Sequence, residues 1–281
     1  CKGFVYQKMH KPERALTHYN AALAGITPNT AELLNNVGIV MQELGRIDEA
    51  LSYYDRAIAL EPDFPGARFH RAAAYLLIGD FRRGWAEYDA RLRGVAYGAR
   101  QPIAPRWMGE PLRGKVVLVY NEQGLGDEIM FSSCVPDLAR EGGQCVLECN
   151  ARLQPLFSRS FSGVTVFASR VDRSLPAMLP VPDYEIPAGS LPMKYRQDKT
   201  AFPETRGYLL ADRQSTLAWR DRLSALGPGL KVGLSWRGGT HKTRQPKRSL
   251  SPAELGPLFA VPGVEFVSLQ YGDVAGDLYE F

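Results

Sequence analysis

At 281 residues the chain is long enough for about two domains of roughly 150 residues each, and for a core that needs neither disulfides nor metals. Apolar residues make up 45% and charged residues 23%, which excludes a largely disordered chain, and no apolar run approaches the roughly 18 residues of a membrane span. A net charge of +4 nominates neither nucleic acid nor a membrane surface, and four cysteines after a start with no signal-like segment point to a reducing, cytoplasmic setting.

The chain opens with a repeat. Residues 31–64 form a 34-residue unit in which Leu34, Val37, Gly38, Met41, Ala50, Tyr54, Ala57 and Pro62 occupy the large, small and breaker positions of a two-helix hairpin. Gly38 and Ala50 are small where the helices cross, Tyr54 and Leu34 fill the space beside them, and Pro62 ends the second helix. Ala72, Tyr75, Gly79, Phe81, Gly84 and Tyr88 reproduce the pattern downstream; Gly3, Tyr6, Ala15, Tyr19, Ala22 and Pro28 reproduce it upstream. These positions resemble the tetratricopeptide repeat over residues 1–95, about three units, the first incomplete because Cys1 falls inside its first helix. The resemblance implies a helical-hairpin array with a concave groove for a peptide or partner protein, in which Asn36 would hold the partner's backbone. Taken as residues alone, Asn35 and Asn36 also read as solvated helix positions.

After Arg100 the period changes. Residues 96–110 read as a Pro-interrupted connector flanked by Trp85 and Trp107 as anchors. Residues 111–228 read as a first Rossmann-like lobe: strands at 115–120, 144–149 and 164–169, a helix from about Glu128 to Arg140, an irregular Pro-rich stretch over 175–203 and a helix near 216–226. Residues 229–281 read as the start of a second lobe, with strands at 230–236 and 265–270 around a helix at 252–260. The fold class is therefore α plus α/β: a hairpin array followed by a doubly wound parallel lobe and the beginning of another. The chain starts without methionine and stops mid-pattern, so it reads as a piece of a longer protein.

Two loops carry the candidate chemistry. The first, 121–131, follows a strand and opens a helix. Gly124 and Gly126 let backbone amides approach a ligand, Gln123 stands beside them in the cleft loop, and the helix start favours an anion. It lacks the third glycine of a dinucleotide fingerprint and the Gly-Lys-Ser/Thr of a P-loop. Asp127 reads either as the N-cap of the helix or as a general base at the cleft. The second loop, 237–249, holds Arg237, Lys242, Arg244, Lys247 and Arg248 with no acidic residue, ahead of a helix with a Ser251/Glu254 capping box. It reads as a phosphate trap, or else as a solvated charged loop. Cys145 and Cys149 read as core residues rather than metal ligands, and no metal site is expected.

Gly124–Ile129 and the segments 235–249 and 269–272 resemble the lipopolysaccharide heptosyltransferases, two-lobed GT-B enzymes that work without a metal. That resemblance covers about 105–281 and implies a nucleotide-sugar donor as substrate with no bound cofactor. Asp127 would be the catalytic base of an inverting transfer. Arg237, Lys242, Lys247 and Arg248 would bind the donor phosphates, Tyr271 and Gly272 would lie near the nucleotide, and the acceptor would be a protein or glycan recruited by the repeats. Motifs that complete the donor site would lie past Phe281, so this stretch alone is expected to be inactive. The alternative function is a non-catalytic tetratricopeptide scaffold with a ligand-binding α/β module.

Overall fold

The structure, a computed structural model, describes residues 2–25, 30–93, 101–172, 174–204, 207–238, 249–273 and 275–278. Cys1 and Pro28 lie outside them. They fall into two compact units, residues 1–210 and 211–281.

The first unit begins with three helical hairpins: α1 (Lys2–Lys8) with α2 (Pro12–Leu23), α3 (Ala31–Glu43) with α4 (Ile47–Leu60), and α5 (Pro65–Leu77) with α6 (Phe81–Tyr88). Each hairpin turns through a residue with positive φ. Glycine fills that place twice, Gly45 at 76° and Gly79 at 81°, whereas the first hairpin uses His10 at 56°. The small crossing positions are required sterically. A Cβ on Gly38 would lie 2.4 Å from the Tyr54 ring, and one on Gly3 would lie 2.7 Å from the Tyr19 ring. Those tyrosines are buried and donate to a glutamine on the first helix of their own hairpin, Tyr19 to Gln7 at 2.8 Å and Tyr54 to Gln42 at 3.0 Å. In the third hairpin the position twelve residues before Tyr88 is Leu76. Tyr88 has no such glutamine behind it and turns to the sheet that follows.

That sheet is parallel, with β1 (Val116–Tyr120), β2 (Gln144–Cys149), β3 (Thr165–Ala168) and β4 (Tyr184–Pro187) in the order β3-β2-β1-β4. This is the order of the first half of a doubly wound sheet, with the chain reversing its direction of winding between β1 and β4. Leu118, Val146 and Phe167 pack on one face; Val117, Val119, Cys145 and Leu147 pack on the other. β4 lies in the Pro-rich stretch that reads as irregular. It is only four residues long and ends on Pro187, a residue that sheets tolerate at edges and strand ends. The helix expected over 128–140 is two: α7 (Leu125–Ser132) and α8 (Val135–Ala139), the latter with Pro136 in its first turn. Beyond β2 lies α9 (Gln154–Ser160), and beyond β4 lies α10 (Pro192–Tyr195).

The end of the connector is no free tether. The Trp107 backbone N–H donates to Glu185 O and Glu185 N–H donates to Pro105 O, both at 2.9 Å, so 105–107 extend the sheet beyond β4. Trp85 and Trp107 are buried in one core with Phe131, Leu138, Phe157 and Ile186, and Leu76, Phe81 and Tyr88 of the third hairpin pack against it. Trp85 Nε1 donates to Arg196 O at 2.9 Å. The array and the sheet thus share a hydrophobic core.

The second unit holds α11 (Arg213–Ser224), β5 (Leu230–Leu234), α12 (Pro252–Phe259), β6 (Val264–Ser268) and α13 (Ala275–Leu278). Its two strands pair in parallel, Val232 opposite Phe266. The sequence reading leaves α11 with the first lobe, ending that lobe at 228. The compact unit instead begins at Ala211, because Trp219 and Leu223 of α11 line a cavity with Val267 and Leu269 of the β5-β6 sheet region. Among the described residues no helix is long and apolar enough to cross a membrane.

Candidate functional site

In the array, α3 packs on α5, the first helix of the next hairpin, as well as on its own partner α4. The two asparagines of α3 separate. Asn35 is buried, and its Oδ1 lies 2.8 Å from Nδ1 of His70 on α5. His70 also stacks on Tyr54, with ring centroids 6.0 Å apart, and burial lowers its pKa to about 4. Asn35 is therefore not the solvated helix position that the residues alone allow. Asn36 remains half-exposed, on a stripe with Glu32 and Ile39 at helical spacing. On α5, Phe69, Ala73 and Leu77 follow four apart, and Leu77 is exposed. Along these two helices the partly exposed side chains are an amide, a carboxylate and apolar groups.

On the sheet, the loop 121–124 leaves the carboxyl end of β1. The N-cap of α7 is Gly124, not Asp127. Asp127 stands at the third helical position, half-exposed, and its Oδ2 accepts from the Gly124 backbone N–H at 3.1 Å. The two readings of Asp127 therefore meet a third: a carboxylate that folds back on the helix start. Gly124 and Gly126 are exposed, and no atom outside their own stretch of chain crowds Gly126.

The crevice between the carboxyl ends of β1 and β4 is filled from the array. Arg91, in the 3-10 turn Asp89–Arg93 after α6, has a fully buried side chain. Its Nε donates to Glu122 Oε2 at 2.9 Å and its Nη2 donates to Glu122 Oε1, making a two-point pair with a carboxylate that is itself only 6% exposed. Nη1 donates to Asp89 Oδ1 at 2.8 Å and to Tyr88 O at 3.1 Å. Nη2 also reaches Ser190 Oγ at 3.2 Å, and Arg106 bonds both Asp89 and Ser190. Two arginines and two carboxylates balance to zero charge. Gly189 is held to glycine here, since a Cβ would lie 2.6 Å from Glu122 Oε1 and 2.7 Å from Arg91 Nη2. Gln123, the other predicted loop residue, meets Tyr88 Oη at 3.4 Å. The sequence reading missed Arg91 and Glu122. Their signal is slight: Arg91 stands three residues after Tyr88, where the central unit has Ala57 three residues after Tyr54.

A second polar set lies along the carboxyl ends of β1, β2 and β3. Buried Glu128 accepts from the Asn150 N–H at 2.7 Å and from the Asn121 side-chain amide at 3.0 Å, and Ser169 Oγ donates to Asn121 Oδ1 at 3.0 Å. Burial raises the Glu128 carboxyl pKa, opposed by those hydrogen bonds.

In the second unit, Gln270 organises the start of the predicted phosphate loop. Its Oε1 accepts from the Trp236 and Arg237 N–H groups at 2.9 and 2.7 Å, and its amide donates to Arg237 O at 3.0 Å. The Arg237 guanidinium pairs with Asp277 at 3.0 Å and donates to Asp273 O at 2.8 Å. Tyr271 is exposed, and Gly272 has a φ of 88°. Lys242, Lys247 and Arg248 lie outside the described residues.

Comparison with known proteins places the repeat. The tetratricopeptide repeat family model matches residues 1–62, so that stretch carries tetratricopeptide repeats. Protein FlbA of Caulobacter vibrioides is 31% identical over 319 aligned positions, which take in 95% of this chain and 53% of that protein. Anaphase-promoting complex subunit 3 of Schizosaccharomyces pombe is 31% identical over 94 positions, 34% of this chain and 14% of that one. The crystal structure of PcrH from Pseudomonas aeruginosa is 27% identical, covering 36% of this chain and 73% of its own, with a TM-score of 0.30. The chain thus spans about half the length of FlbA, at 53%, and a small part of the yeast subunit. None of these names points to sugar transfer.

Proposed function

We propose that this chain is a protein-interaction scaffold whose repeat array holds a peptide of a partner protein, with the α/β part fixed to the array as a ligand-binding module. The observation that carries this reading is the alignment of α3 beside α5, with Asn36, Ile39 and Leu77 left accessible while Asn35 and His70 join the two helices behind them. Stacked first helices make a continuous concave surface, the form in which repeat arrays bind extended segments. Reduced Cys134, Cys145 and Cys149, all buried, suit a cytoplasmic setting.

The test is a peptide library panned on the chain, followed by titration of the enriched peptides against Asn36→Ala and Ile39→Lys. Both variants are expected to keep the helical circular-dichroism signal and to weaken binding by about tenfold or more. Equal affinity for wild type and both variants would remove the groove from the account.

A glycosyltransferase reading retains one supporting observation, Asp127 in the first turn of α7 on the carboxyl side of β1. In that reading the donor is a nucleotide-sugar and the acceptor a protein or glycan. With Arg237 committed to Asp277, the phosphate contacts would pass to Lys242, Lys247 and Arg248. Asp127→Asn in the longer protein separates the possibilities. An amide at this helix position still accepts from Gly124 N–H but cannot take a proton, so stability would hold while transfer fell by about 10²-fold or more.

A further inference from the structure

A doubly wound sheet binds ligands outside the carboxyl ends of its strands, where the winding reverses. Here that place is taken by Arg91, bonded at every nitrogen and neutralised by Glu122 and Asp89. Next to it, on the far side of β4, lies open space. A cavity of about 330 Å³ is walled by Trp107, Met108, Ile186 and Met193, with Lys194 and Gln197 on α10 and just after it. That volume is within the range of small-molecule sites.

The polar groups of this cavity are unequally committed. The Trp107 indole N–H donates to Glu110 O at 2.8 Å, so its one polar atom is committed, and the residue is buried to 3% exposure at the cavity wall. The Gln197 amide nitrogen donates to Met193 O at 3.0 Å. The Ser190 hydroxyl belongs to the Arg91 network. Lys194 differs: its Nζ lies 4.4 Å from the Trp107 ring centre, and its ion pair with Glu141 at 3.0 Å is about one-third exposed at both ends. Glu141 has a second donor in Tyr195 Oη at 3.1 Å, so it is not stranded when Lys194 turns away. An ion pair that reaches water at both ends is weak and is readily exchanged for another carboxylate.

We infer that the cavity bounded by Trp107, Met193 and Lys194 binds a small carboxylic acid with an apolar, ring-sized body, its carboxylate on Lys194 in exchange for Glu141. The body would lie on Trp107, Ile186 and the two methionines, whose flexible thioethers adapt to irregular shapes. The inference rests on the α/β part being a ligand-binding module and is independent of what the repeat groove holds.

The test uses two probes of nearly the same shape, indole-3-acetate and its uncharged amide indole-3-acetamide, titrated calorimetrically into the whole chain. Wild type is expected to prefer the acid by about fivefold, a preference that shrinks as salt rises. Lys194→Gln should erase the preference. Glu141→Gln should tighten the acid by about threefold and leave the amide unchanged, because it frees the ammonium of its competitor. The opposite directions of these variants separate a bound carboxylate from damage to the fold. Absence of binding by wild type, equal affinity for acid and amide, or a Lys194→Gln protein that still prefers the acid would overturn the assignment. Groove-peptide affinity measured on the same samples would be unaffected by any of these results, so the scaffold reading stands or falls separately.

Discussion

Replacing Arg91 by methionine tests the join between array and sheet. The substitution keeps an unbranched apolar stem but removes the guanidinium with its charge, leaving Glu122 only 6% exposed and without its two-point partner. Breaking a buried ion pair on one side costs about 3–5 kcal/mol, mostly the penalty of the abandoned charge. Glu122 still accepts from Gly189 N–H at 3.1 Å, which places the expected loss near the lower end, about 3 kcal/mol. With a urea dependence of about 2 kcal/mol/M, the unfolding midpoint of the first unit should fall by about 1.5 M. The double variant Arg91→Met/Glu122→Leu removes both charges and should recover about 2 kcal/mol of that loss, since an apolar pair can replace a buried ionic one. Urea titration followed by tryptophan fluorescence reads this out, because Trp85 and Trp107 are in the shared core. A midpoint shift below about 0.3 M for Arg91→Met, or a double variant no more stable than the single, would mean that the Arg91–Glu122 pair does not join the array to the sheet.

Three further outcomes follow from the array. Gly38→Ala should destabilise by about 2 kcal/mol or more in thermal melts, because its Cβ would meet the buried Tyr54 ring at 2.4 Å, whereas the control Gly126→Ala in α7 of the sheet region, which meets nothing, should not destabilise. His10→Gly should stabilise by about 0.5 kcal/mol, the relief of a left-handed residue less the backbone freedom glycine adds to the unfolded chain; a lowered melting temperature would contradict this. His70 should make the array acid-sensitive. Its folded pKa of about 4 lies below the ordinary 6.5, so the unfolded chain binds more protons between these values. Stability is then complete above pH 6.5 and falls by about 3 kcal/mol as pH drops to 4, a slope that His70→Gln should flatten in urea titrations at several pH values.

The parts of this fold that the sequence discloses are those set by close packing within one hairpin. Gly38 and Tyr54 identify themselves because two helices cannot cross there with any other sizes, and β1 and β2 identify themselves as short apolar runs buried on both faces. What escapes is longer in range or masked by local chemistry. β4 hides among prolines because its four residues gain their place from pairing with β1, not from their own pattern. Asp127 can be assigned to the start of α7 from its spacing, but whether it caps the helix or reaches back from the third position depends on where Gly124 enters. The Arg91–Glu122 pair joins residues 31 apart that no periodicity links. Its trace is a change in the repeat itself, Leu76 where the other hairpins place a glutamine and arginine where the central one places Ala57. Of the predicted second loop, Arg237 turns to Asp277, and Gln270 holds the backbone at 236 and 237.

In the proposed function the repeat array receives a partner's peptide along α3 and α5. Hydrogen exchange of the whole chain, with and without a peptide selected on it, tests this most directly. Slowed exchange is expected within residues 31–43 and 65–77 on binding, with the sheet strands 116–120 and 144–149 unchanged. Protection confined to the loop 121–124 or to the second unit, with the first helices of the array unaffected, would contradict it.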